Sequence, residues 1–133
     1  MLRVPGALMG RVRENIDVKG QKFWTLFDTG ARNTYVVPQV AALLVTSTMP
    51  KAFRSALGGK VHEATQAAVL DANIEGCQVS THAMVLDEIG QGEDGKPIQV
   101  LLGALAMQQW GIRPIPDEQR LDMSHYTREF LEF

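Results

Sequence analysis

With 133 residues, 45% of them hydrophobic, the chain is one domain, 1–133, with enough apolar residues for a sizeable core. A formal net charge of −2 argues against a nucleic-acid partner, and no run approaches the ~20 apolar residues of a membrane span. The lone Cys77 excludes an internal disulfide, and the start Met1-Leu2-Arg3-Val4-Pro5-Gly6 lacks the apolar core of a signal peptide; both fit a cytoplasmic protein.

In chain order, residues 8–18 read as a first strand, and Lys19-Gly20 as the turn into a second that ends at Asp28. Thr34-Tyr35-Val36-Val37 is β-branched and aromatic, hence a short strand, and Pro38 suits the first turn of a helix running toward Leu44. Thr46-Ser47-Thr48-Met49-Pro50 reads as a polar break. Lys51 to Leu57, Gly58-Gly59 and Lys60 to Asn73 form a hairpin with a tight glycine turn. Glu75-Gly76 is another turn. Cys77, Val79, Thr81, Ala83 and Val85 then alternate along a strand that leads to the polar loop Gly90–Pro97 and the apolar strand Ile98–Leu102.

A short helix near residues 104–110 stops at Gly111. Ile112–Ile115 and Gln119–Met123 are strands either side of Pro116-Asp117-Glu118, and Tyr126–Phe133 alternates as a strand in need of a partner. Short strands separated by regular turns predict an all-β protein, a closed or partly open barrel.

The stretch Phe23-Trp24-Thr25-Leu26-Phe27-Asp28-Thr29-Gly30-Ala31 carries the most chemistry. A carboxylate at the end of a buried strand is costly unless it is hydrogen-bonded or partnered, so Asp28 is either a turn cap or a site. Thr29 can lock onto neighbouring backbone. Gly30 permits angles closed to other residues and lets another chain or a ligand come close. Ala31 adds no polar group.

Other constellations fail on their own terms. Gly90-Gln91-Gly92-Glu93-Asp94-Gly95 fits G-x-G-x-x-G, but Lys96-Pro97-Ile98 opens a strand where a phosphate loop opens a helix, and two carboxylates would repel phosphate. His62-Glu63 lacks the second histidine of a zinc-protease helix, so no metal site is expected. Cys77 and His82 lie on opposite faces of one strand, which excludes a cysteine–histidine pair within it. Cys77, Trp24 and Trp110 read as core. His62, His82 and His125 read as surface or packing residues, and Arg11, Arg13 and Lys19 as a solvated strand face.

The Asp28-Thr29-Gly30-Ala31 turn, followed some seventy residues on by Leu101-Leu102-Gly103 and a short helix, resembles the single-domain retroviral-type aspartic proteases, over about residues 8–123. The resemblance implies an acid-protease-type β fold, a polypeptide substrate and no cofactor. It implies that Asp28 is catalytic, with Thr29, Gly30 and Ala31 as its supporting turn. A flap hairpin at about 51–68 would hold Ala56, Leu57, Gly58 and Gly59 over the peptide. Such chemistry needs two carboxylates sharing a proton about one water. At about 3 Å and an effective dielectric of ~20, two ionised groups repel by about 5 kcal/mol, enough to keep one proton between them. The chain has one such turn, so a homodimer follows, with termini near 1–7 and 124–133 at its base.

Two departures stand out: Arg32-Asn33 replace the acidic residues that viral members carry after the turn, and Gly103-Ala104 replaces their Gly-Arg. A non-catalytic peptide-binding or dimerisation module on the same fold is the competing reading, and an unrelated β-barrel with a chance turn is a third. Ala31 cannot donate the hydrogen bond that a serine there would give the carboxylate. The expected pH optimum is about 5–6, and a pH–rate profile peaking near ~2–3 contradicts it.

Overall fold

The computed structural model describes residues 11–129. Strands β1 (Arg11–Val18) and β2 (Gln21–Asp28) form a hairpin in which Arg11 faces Asp28 across the ladder. Short β3 (Tyr35–Val36) leads into helix α1 (Pro38–Ala41), which has proline in its first turn as expected. Long strands β4 (Val45–Leu57) and β5 (Lys60–Ile74) form the second hairpin, and β6 (Cys77–Val85) pairs back on β5. β7 (Val100–Leu102) precedes helix α2 (Ala104–Trp110), and β8 (Arg113–Ile115) and β9 (Arg120–Asp122) pair in a small separate sheet.

The main sheet runs β1-β2-β7-β3-β6-β5-β4. One further pairing, Asp17 opposite Asn73, joins β1 to β5 and brings six strands into a ring, with β4 attached outside it. This is the expected all-β architecture with a short helix at 104–110. β7 sits between β2, to which it is parallel, and β3, to which it is antiparallel, so the end of β2 and the end of β7 lie side by side.

The two faces of β2 carry the logic of the fold. Phe23, Thr25 and Phe27 point into the main core with Val12, Ile16, Val18, Val100 and Leu102. Trp24, Leu26 and Asp28 alternate to the other face. There a second cluster gathers Tyr35, Ala64, Met84, Leu86 and Leu101, with Leu26, Ala31, Leu57 and Ile89 packed against it.

Several expectations are corrected. The segment 46–50 is strand, not a break. β5 offers it a ladder partner from Val69 to Lys60, and backbone pairing outweighs its polar side chains; Pro50 falls where the register shifts between Thr48 and Phe53, where no ladder bond needs its missing N–H. Residues 126–129 form no strand: Tyr126 turns back, stacks on Trp110 and donates its hydroxyl to the Gln78 carbonyl. Trp24 stands half-buried under the Lys96 ammonium rather than in the core, and Cys77 is partly exposed at the start of β6. Arg13 is no solvated residue, as its side chain is 18% exposed and paired with Glu93. Residues 1–10 and 130–133, including most of the expected dimer-base segments, lie outside the described residues. Among the described residues no helix is long and apolar enough to cross a membrane.

Glu14 lies on the core side of β1, between Val12 and Ile16. Burial, and then a hydrogen bond and charge repulsion from Glu75, raise its carboxyl from the ordinary 4.5 to about 7. The folded chain therefore keeps a proton that the unfolded chain releases. This contribution to stability is complete below pH 4.5 and fades as pH rises through about 7. Glu14→Gln should flatten the fall in melting temperature across that window. A wild-type melting temperature already flat there refutes the assignment.

Candidate functional site

β2 delivers Asp28 to the end of the ladder on the side of the second apolar cluster, its side chain 15% exposed. Gly30 N–H donates to Asp28 Oδ1 at 2.8 Å, and Ala31 N–H donates to the Asp28 carbonyl at 3.2 Å. The turn thus caps its own carboxylate, as an Asx-turn does. Gly30 does not adopt a left-handed backbone. Its requirement is space, since a Cβ there would lie 3.1 Å from Asp28 Oδ1.

The other carboxylate oxygen faces a cation. Arg11 Nε lies 3.5 Å from Asp28 Oδ2, with the arginine side chain 45% exposed. The pair follows from register, because Arg11 and Asp28 are directly opposed on β1 and β2. A partly exposed pair of this kind holds geometry more than it adds stability. One oxygen on a backbone N–H and the other on a guanidinium keep the carboxylate oriented without a second carboxylate in the same chain.

Behind the turn stands α2. Its first N–H groups have no side-chain cap. Ala104 N–H donates to the Ala31 carbonyl at 2.6 Å and Leu105 N–H to the Arg32 carbonyl at 3.2 Å, so the turn itself caps the helix. Gly103 N–H donates to Thr34 Oγ1 at 3.1 Å, and Thr34 is buried. Gly103 has an ordinary extended backbone. What it supplies is the missing side chain, since a Cβ there would lie 2.2 Å from the Asn33 carbonyl oxygen and 2.8 Å from that of Arg32.

The expected flap residues Ala56, Leu57, Gly58 and Gly59 lie at the tip of the β4–β5 hairpin, where Gly58 and Gly59 have φ of 57° and 81°. That left-handed pair is the tight hairpin turn read from the sequence. Leu57 joins the cluster that holds Leu26 and Ala31, which brings the hairpin onto the Asp28 face; Ala56, Gly58 and Gly59 stand exposed. The Tyr35 hydroxyl and Ser55 Oγ, 2.6 Å apart, tie the hairpin to β3. Exposed Thr29 borders a largely apolar groove of about 590 Å³ formed with Met107, Ile112, Pro114 and Ile115.

Sequence reading missed Arg11, Arg13, Thr34 and Ser55. Thr34, a hydroxyl at the head of an apolar strand, is the one with a visible signal. The others depend on register and on a loop that only the fold brings near. Among the described residues no cluster of three or more histidine, cysteine or acidic side chains could hold a metal.

A family model described as aspartyl protease matches residues 15–105, more than half of the chain. No curated protein matches it in sequence. Among solved structures, the chain is similar to the retroviral protease-like domain of Ddi1 from Leishmania major, with a TM-score of 0.61, 11% identity and coverage of 87% of this chain and 90% of that one. It is also similar to EIAV protease complexed with the inhibitor HBY-793, with a TM-score of 0.51, 18% identity and coverage of 78% and 91%. At these identities the likeness to the two structures is one of fold.

Gly103→Ala should force the turn and α2 apart and cost roughly 3 kcal/mol, because the atoms it meets are backbone and cannot swing away. An unchanged urea midpoint would rule out the close backbone contact.

Proposed function

The chain belongs to the aspartyl protease family, and on that premise we propose that it is a homodimeric aspartic endopeptidase whose two Asp28 carboxylates, one from each subunit, activate a water against a peptide bond. One observation carries this reading. Asp28 sits on a turn in which the Gly30 N–H holds its carboxylate and the Ala31 N–H its carbonyl, yet no second turn of this kind exists in the sequence. A rigidly presented single carboxylate makes half of an acid–base pair.

In the proposed site the two carboxylates share one proton. The ionised Asp28 takes a proton from the water, and the protonated one gives a hydrogen bond to the scissile carbonyl. Thr29, Gly30 and Ala31 support the turn, Gly30 by its N–H and Ala31 by offering its carbonyl to α2. Leu26, Ala31 and Leu57 offer apolar contact to peptide side chains. Ala56, Leu57, Gly58 and Gly59 form the flap tip, and their position outside the strand ring leaves them able to close over a peptide. The groove beside Thr29 is the surface we assign to the second subunit, since it continues from the turn that must meet its copy.

A second reading has an observation of its own. The Arg11 guanidinium already faces Asp28 Oδ2, as it would in a non-catalytic peptide-binding or dimerisation module that keeps its carboxylate as a structural anion.

One experiment separates the two. Cleavage of a diverse peptide library is measured for wild type and Asp28→Asn, with and without a statine-type inhibitor, alongside the solution mass. Cleavage by a dimeric wild type should fall by at least about a hundredfold in Asp28→Asn and be blocked by the inhibitor. A dimer without cleavage supports the non-catalytic module, and a monomer without cleavage refutes the homodimeric protease and the dimerisation module alike.

A further inference from the structure

Beside Asp28, on the same face of the β1–β2 hairpin, lies a pocket of about 160 Å³ that the proposed mechanism leaves unused. Its apolar lining is Leu26 and Ile98, and its charged lining is Arg11, Arg13 and Glu93. Arg13 is opposed to Leu26 in the ladder, so the guanidinium and the apolar side chain stand on one face. The loop at 90–97 lies over the pocket. Gly92 brings the loop close to Arg13, since a Cβ at that position would lie 3.2 Å from Arg13 Nη1 and 3.0 Å from Asp94 Oδ1.

We propose that this pocket is a specificity subsite for an acidic side chain with an aliphatic stem, a glutamate of the bound peptide, and that Arg13 is the residue that reads it. The volume holds one side chain. Leu26 and Ile98 take the methylenes, and the two guanidiniums face the carboxylate.

Arg11 is already paired with Asp28, so the lining sets the Arg13 guanidinium against Glu93, and that anion is the weak partner. Glu93 meets Arg13 Nη1 at 3.4 Å from a side chain that is 54% exposed, whereas Arg13 is 18% exposed. A screened contact at that distance contributes little. A guanidinium has five donors in a fixed fork, so a peptide carboxylate can join or displace Glu93 in a better desolvated position. Arg11 spans the pocket and the reaction centre, with its Nε on Asp28 Oδ2. A glutamate held there would lie next to the bond that Asp28 faces.

The inference rests on the proposed function only in taking a peptide to lie along the Asp28 face, and its test reads binding separately from hydrolysis. End-capped octapeptides with a central statine, identical except for glutamate or glutamine at one flanking position, are titrated onto the full chain by calorimetry. At one position the glutamate peptide should bind about tenfold more tightly than its glutamine twin, the gain of one charge-assisted hydrogen bond. Arg13→Gln should erase that preference. Glu93→Gln, on the exposed loop, should enlarge it, which guards against misfolding of the Arg13 variant. Equal affinities at every position, no binding of any peptide, or a preference that survives Arg13→Gln would each overturn the subsite. Glutamate-selective binding without hydrolysis of the matching statine-free peptide would leave the subsite standing and remove the hydrolase reading.

Discussion

Everything at the Asp28 end of the molecule depends on one close approach of backbone to backbone. The carbonyls of Ala31 and Arg32 receive the first free N–H groups of the helix at 104–110, and they can do so because Gly103 has no side chain to hold them off. A helix start leaves several donors unsatisfied, and a tight turn leaves carbonyls unsatisfied. Here each deficit is met by the other. Thr34 completes the arrangement by accepting from Gly103. A carboxylate fixed to such a turn moves only if the helix moves.

The alternation of β2 sets what that carboxylate meets. One face feeds the main core, and the other presents Leu26 and Asp28 to a separate apolar cluster that reaches the β4–β5 hairpin through Leu57. An acid beside an apolar wall suits peptide chemistry, where side chains need a dry surface and one bond needs a polar group. The cross-strand partners on β1 add two guanidiniums to that face. They distinguish this chain from a purely apolar cleft.

Much of this was legible in the sequence, for physical reasons that differ between elements. The hairpin turns at Lys19-Gly20, Gly58-Gly59 and Glu75-Gly76 are local: each occupies left-handed backbone that few residues favour. The Asp28 turn and the Gly103 position could be read because their residue types are narrow. The strand at 46–50 could not, since its polar side chains hide a ladder made by β5, far along the chain. The partners of Arg11 and Arg13 were hidden for a similar reason. Alternation puts them on the outer face, but nothing local says that a carboxylate and a folded-over loop wait there.

β5 has two employments. Its second half, from Ala67 to Ile74, is built into the wall through β6, whereas its first half, up to Gln66, has β4 as its only ladder neighbour among the described residues. A strand of 15 residues is roughly 50 Å long, so its outer part extends past the wall as an arm that side chains hold to the body, Ser55 on Tyr35 and Leu57 and Ala64 in the second apolar cluster. Bending such an arm breaks those side-chain contacts and strains the bonds between two strands, while the backbone ladders of the wall stay intact. Amide exchange along this one strand would therefore run in two regimes, fast toward Lys60 and slow toward Ile74, with the step between them marking the fulcrum.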